Sequence, residues 1–190
     1  MKWLLWIVAA LLALAAIALV IGWLRPAGHV ARTGAEYAAP PSEVWAVLTD
    51  FEAWGEWNPE ITSMERLEDR DGRAAWLAKG GWGDLPTEIV RSEPPGDGSP
   101  TGTLETFVDG GAFQGTWVYE LTPSGSGTHL RITERGEVSN PLFRAMMIFH
   151  DDQASMRAFH ETLAGRLGEE VSVTELGEEV NVTELESEGG

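Results

Sequence analysis

The spacing of apolar positions divides the chain into three regimes. From Trp3 to Leu24 there is no charged residue over 22 positions, and at about 1.5 Å per residue such a helix crosses the roughly 30 Å hydrocarbon layer of a bilayer. Trp3, Trp6 and Trp23 sit near its ends, where indole rings favour the headgroup region, and Lys2 and Arg25 bracket it. The pattern predicts a transmembrane helix over 3–24. The rival, a cleaved signal peptide, meets an apolar core that is too long and finds no convincing small-x-small site before Pro26. Met1's amine and Lys2 nearly balance Arg25 and Arg32 across the span, so the side is weakly marked; keeping Lys2 inside slightly favours a single-pass topology with the domain outside the cytoplasm.

After the anchor, Gly28 to Tyr37 is read as a first strand despite poor alternation. Ala39-Pro40-Pro41-Ser42-Glu43 turns into a short helix capped by Ser42, whose buried side is Val44, Trp45, Val47 and Leu48. A Trp-rich stretch from Asp50 is closed at Pro59. Between Ile61 and Val138 the period shortens to strands at 61–69, 73–79, 86–93, 102–108, 113–122 and 127–138, separated by Gly, Asp and Pro turn signals. Strands this close, with no helices between them, pair as antiparallel hairpins. In the fifth, Phe113, Trp117, Tyr119 and Leu121 share one face against Gln114, Thr116 and Glu120 on the other. In the next, Leu130 and Ile132 share a face with Glu134, which sets a carboxylate beside the buried side.

The period then lengthens to that of a helix from Asn140 to Leu167. Asn140 caps, Pro141 takes the first turn, and Leu142, Met146, Phe149, Met156, Phe159, Leu163 and Leu167 form an apolar stripe ended by Gly168. Gln153 interrupts the stripe, so either the helix breaks near His150-Asp151-Asp152 or an amide points inward. Beyond it, residues 169–190 carry eight Glu and no basic residue, and a nine-residue near-repeat from Val171 and Val180 reads as a solvated acidic tail with weak strand propensity; a small hairpin turning at Gly177 is the lesser alternative. The expected organisation is an anchor over 1–26, one domain over 27–168 and the tail over 169–190.

Composition narrows the chemistry. A net charge of −17 excludes a nucleic-acid partner, which needs a Lys/Arg surface. Cysteine is absent, and with it disulfides and Cys-ligated metals. His29, His129, His150 and His160 are scattered, the last two lying about 80° apart on a continuous helix, and no His-x-x-x-His pair occurs, so no metal site is expected. There is no Gly-x-Ser-x-Gly elbow, and Gly80-Gly81-Trp82-Gly83-Asp84 lacks the Lys-Ser/Thr of a phosphate loop and is read as a hairpin turn. No catalytic residue and no cofactor are assigned.

The order of elements, with Ala39-Pro40-Pro41-Ser42-Glu43-Val44-Trp45, Asp50-Phe51, Trp54 to Pro59 and Gly115-Thr116-Trp117-Val118-Tyr119-Glu120-Leu121-Thr122-Pro123, resembles the polyketide cyclase/dehydrase-like branch of the START and Bet v 1-type helix-grip (SRPBCC) superfamily. The resemblance covers about Gly28 to Gly168; Gly55 departs from it, proline being common there. It implies an α+β helix-grip fold, a curved antiparallel sheet of about seven strands gripping the terminal helix, with a hydrophobic cavity between them. Cavity candidates are Trp57, Trp76, Trp117, Tyr119, Phe143, Phe149 and Phe159, with Glu134, Gln153 and His160 as the polar groups that orient a ligand. Taken singly, each ring is better explained by an ordinary core, and Glu134 by a wet strand edge. Three functions compete. The first is membrane-anchored binding of a lipid or other hydrophobic small molecule. The second is a cyclase or dehydratase working through Glu134 or His160. The third is a partner-binding protein with a filled interior and the tail as its contact.

Overall fold

In the computed structural model, which describes residues 2–96, 98–146, 151 and 153–176, the predicted meander is a single curved antiparallel sheet. In chain order the elements are α1 (Lys2–Leu24), β1 (Gly28–Tyr37), α2 (Pro41–Thr49), a 3-10 turn (Phe51–Ala53), α3 (Trp54–Trp57), β2 (Ile61–Arg66), β3 (Ala75–Gly80), β4 (Gly83–Glu93), β5 (Gly102–Asp109), β6 (Phe113–Ser124), β7 (Gly127–Val138), α4 (Pro141–Met146), α5 (Ala154–Leu167) and β8 (Val173–Glu175). The sheet order is β2-β3-β4-β5-β6-β7-β1-β8. This is the helix-grip arrangement, with eight strands rather than seven. Register shifts at Ile61/Ser63 in β2 and Ile89/Arg91 in β4 are bulges, which bend a strand and deepen the sheet's curl.

The alternation read from β6 and β7 holds. Tyr119, Leu121, Leu130, Ile132 and Glu134 are all buried on the inner face, where Val44 and Leu48 of α2 and Met156, Phe159 and Leu163 of α5 close the core. Gly55, the departure noted above, is where α3 rests on β2: a Cβ there would lie 2.8 Å from the carbonyl oxygen of Thr62.

Three expectations change. The long helix is broken, as its polar interruption allowed: Asp151 is not helical, Gln153 lies in a turn, and α5 begins at Ala154. Asn140 does cap, its Oδ1 accepting from the N–H groups of Leu142 (2.9 Å) and Phe143 (3.3 Å), but the helix it starts is short, and Leu142 and Met146 of the predicted stripe face outward. The helix stops where expected, at Gly168, in the left-handed region at φ 77°. Ser42 is not the cap of α2, because the helix starts one residue earlier at Pro41, behind Pro40. Finally, the start of the acidic tail is the edge strand β8, paired with β1 from Thr33↔Glu175 to Ala35↔Val173. Glu175 receives Arg157 Nη1 at 2.6 Å, and the Gln153 amide nitrogen, in the orientation that satisfies both ends of the amide, lies 3.0 Å from the same carboxylate. Glu169 accepts from the backbone N–H groups of Ala38 (2.6 Å) and Ala39 (3.3 Å). A hairpin at Gly177 falls outside the described residues.

α1 is a 23-residue apolar helix, long enough to cross a membrane, and its outer surface is uncovered by the rest of the chain. Its one buried residue is Gly22, which meets α4: a Cβ on Gly22 would fall 1.7 Å from the carbonyl oxygen of Pro141. Arg144 Nη1 donates to the carbonyl of Arg25 at 3.1 Å, so α4 is tied to the end of α1 twice.

Candidate functional site

The sheet's inner face does not fill completely against the helices. A cavity of about 430 Å³ remains, walled by Trp54 of α3, Phe159 of α5, Phe143 of α4, and Phe113, Trp117 and Tyr119 of β6. That volume lies within the range of about 300–1,000 Å³ typical of small-molecule sites. Met64, Leu85 and Val108 extend the apolar lining, and the Gly80–Gly83 hairpin, predicted as a turn, forms part of its edge.

Asn58, Glu60, Lys79 and Ser155 also border the cavity, and its buried carboxylate is Glu134. Glu134 stands directly across the ladder from Trp117 on β6 and from Ala31 on β1, and its side chain is only 7 % exposed. Its Oε1 lies 3.7 Å from His29 Nε2. His29 pairs with Gly136 in the β1–β7 register, and a Cβ at 136 would sit 2.2 Å from His29 Cε1, so the imidazole lies flat against a bare stretch of backbone and can lean toward Glu134. Tyr119 completes the group. Burial first, and the Glu134 charge second, push its hydroxyl well above the usual tyrosine range, so it stays protonated. Thr87 and Thr106 are buried in the same lining. Among the described residues there is no group of three or more His, Cys, Asp or Glu side chains able to hold a metal ion.

Of the sequence candidates, Trp117, Tyr119, Glu134, Phe143 and Phe159 come together around the cavity. Phe149 lies outside the described residues. The other four sit elsewhere. Trp57 packs edge-on against Trp54 (5.8 Å) and Phe159 (5.3 Å), behind the wall rather than in it. Trp76 lies farther along β3, against Phe51 at 5.7 Å and under the Arg66 guanidinium at 5.5 Å. Gln153 turns to Glu175, away from the interior, because the chain breaks before α5.

His160 is fully buried, but in the closed core and not at the cavity. Both ring nitrogens are occupied by β1: Thr33 Oγ1 lies 3.1 Å from Nε2 and the Tyr37 hydroxyl 2.9 Å from Nδ1, while that hydroxyl also donates to the His160 carbonyl at 3.2 Å. One assignment uses every proton once: Tyr37 O–H to the carbonyl, Nδ1–H to Tyr37 and Thr33 O–H to Nε2. That imidazole is neutral. Burial, helped by nearby His129, holds its pKa down at about 4.

The lining residues that the sequence did not single out are chiefly His29, Trp54, Met64, Leu85 and Thr106. Trp54 was within the Trp-rich stretch, and His29 alternates with Ala31, Thr33, Ala35 and Tyr37; neither signal distinguishes a cavity wall from a core.

Comparison with known proteins agrees with this architecture. The family model described as "Polyketide cyclase / dehydrase and lipid transport" matches residues 29–168. No curated protein sequence matches the chain. Among solved structures, a START superfamily protein from Mycobacterium smegmatis is 18% identical, with a TM-score of 0.53, covering 74% of this chain and 97% of that one. The Zhui aromatase/cyclase from a Streptomyces species is 14% identical, with a TM-score of 0.58, covering 74% and 94%. A STAR-related lipid transfer protein from Xanthomonas axonopodis is 16% identical, with a TM-score of 0.52, covering 73% and 85%. At these identities the structural matches establish the fold alone. The match over 29–168 carries more: this chain belongs to the polyketide cyclase/dehydrase and lipid transport family.

Proposed function

We propose that the chain binds a lipid or other hydrophobic small molecule in the cavity between sheet and α5, while residues 1–26 hold the domain of residues 27–168 at a membrane as a single-pass anchor. The observation that carries this reading is the cavity itself: about 430 Å³ walled mainly by aromatic and aliphatic side chains and left unfilled by the protein's own core. That open space speaks against the purely structural alternative, which needs a filled interior.

Two features support a membrane source for the ligand. α1 has the length and hydropathy of a membrane span, and it ends against α4, the helix that contributes Phe143 to the cavity wall. Tethering holds the opening close to the phase in which an apolar ligand concentrates, and proximity of this kind raises occupancy without any new contact. The test is to purify the full chain from membranes, extract it with organic solvent and identify bound molecules by mass spectrometry. One apolar species at near-stoichiometric amount is expected; a Leu85→Trp/Val108→Trp variant, which sets two indoles into the lining, should lose most of it. Equal recovery from both proteins overturns the reading.

A second reading, an enzyme of the cyclase or dehydratase type, is favoured by one observation, the exposure of the Glu134 carboxylate to the cavity. His160 does not serve it, since both its ring nitrogens are engaged by β1. If Glu134→Ala leaves turnover of any accepted substrate unchanged, that reading fails.

A further inference from the structure

The cavity-binding reading above can be carried one step further, because the cavity's buried carboxylate restricts what its ligand must carry. Glu134 is nine-tenths buried, lines the cavity, and has the His29 imidazole beside it. The 3.7 Å between Oε1 and Nε2 exceeds the roughly 2.7–3.2 Å of an N–H···O hydrogen bond. An atom standing about 2.8 Å from each would close the gap with two bonds of ordinary length.

The chemistry of the two sides decides what that atom is. An imidazole facing a carboxylate keeps its proton on the facing nitrogen, so Nε2–H donates into the gap while Oε1 accepts from it. The bridging group must therefore accept from one side and donate to the other. A hydroxyl does both. An ammonium only donates, and an ether or ketone only accepts. A carboxylate would bring a second negative charge against Glu134. Around the gap the surfaces are flat and apolar, with Trp117 across the ladder from Glu134 and Tyr119 one inward position along β6. Gly136 is part of the same design, since any side chain there would push His29 out of reach. We propose that the cavity selects an apolar molecule bearing a hydroxyl, a phenol or an alicyclic or aromatic alcohol, whose oxygen is held between Glu134 and His29.

The test compares three probes on one skeleton, naphthylmethanol, naphthylmethylamine and methylnaphthalene. Each is titrated calorimetrically into the full chain in lipid nanodiscs with empty nanodiscs subtracted. The alcohol should bind about tenfold more tightly than the hydrocarbon, the ratio expected of hydrogen bonding to a buried charge. Glu134→Leu should bring that ratio close to one while methylnaphthalene still binds, which also reports that the variant is folded. Glu134→Gln, which can still accept through its carbonyl oxygen, should fall between. Equal binding of alcohol and hydrocarbon, tighter binding of the amine, or an undiminished preference in Glu134→Leu overturns the assignment but leaves the cavity-binding reading standing. Failure of all three probes to bind overturns both.

Discussion

The buried imidazole of His160 should make the domain sensitive to acid in a calculable way. In the unfolded chain the residue takes up a proton near 6.5, and in the folded domain only near 4. Between those values the unfolded state binds more protons than the folded one, so stability rises with pH and is lost as pH falls. The loss begins below about 6.5 and levels off below about 4. A separation of about 2.5, at about 1.4 kcal/mol for each pH unit, comes to about 3 kcal/mol. That is a large share of the roughly 5–15 kcal/mol by which a domain is stable. Physically, protonation would place a second N–H on a ring whose lone pair is already taken by Thr33 and whose single N–H is already taken by Tyr37. The assay is urea unfolding followed by tryptophan emission, on the full chain in a mild detergent, from pH 7 to pH 4. His160→Gln keeps an amide in place of the ring and removes the titration, so carboxylate contributions cancel in the comparison. The stability difference between wild type and variant should shrink by about 3 kcal/mol over that range. Parallel curves would refute the neutral, doubly bonded imidazole.

Three further outcomes are expected. Phe159→Ala removes a ring that touches Trp54, Trp57 and Tyr119 at 5.3–5.5 Å; it should cost about 3 kcal/mol in the same unfolding assay, at the low end for Phe to Ala because one side of the ring already borders the cavity. Glu169→Ala removes the acceptor for the Ala38 and Ala39 N–H groups and should cost about 1–2 kcal/mol, whereas Glu170→Ala should be close to neutral. Gly22→Leu has no room against Pro141, so hydrogen exchange should accelerate at the Arg144 and Ala145 amides while Phe159 to Leu163 stay protected. Unchanged protection at α4 would mean that the α1 contact does not hold it.

Much of this architecture can be read from spacing alone, because alternation and turn chemistry are local. The strand at Gly127–Val138 is a case in point: Leu130 and Ile132 must face inward, and Glu134 follows them by parity. What lay beyond reach depended on contacts distant in sequence. His160 occupies the same helical face as Met156 and Leu163, and nothing near it in the chain says that Thr33 and Tyr37 will engage both its nitrogens. His29 reaches Glu134 only because the β1–β7 register sets Gly136 beneath its ring. Trp57 and Trp76 show the complementary limit, since an aromatic ring beside a cavity and one behind it leave the same trace in the sequence. The Gln153 interruption offered a broken helix as one of two readings, but the partner that turns its amide outward, Glu175, belongs to a tail whose composition suggested a solvated segment with weak strand propensity.

The break between α4 and α5 divides the cavity's boundary between two foundations. Phe143 belongs to a helix seated on Gly22 and Arg25, whereas Phe159 belongs to one fastened to β1 and α2. With α1 in a bilayer, a change of its tilt carries Phe143 along and leaves Phe159 behind. On the proposed function, the gap between those two rings would then follow the thickness of the surrounding lipid, and a ligand's escape rate would be a property of the membrane as much as of the protein.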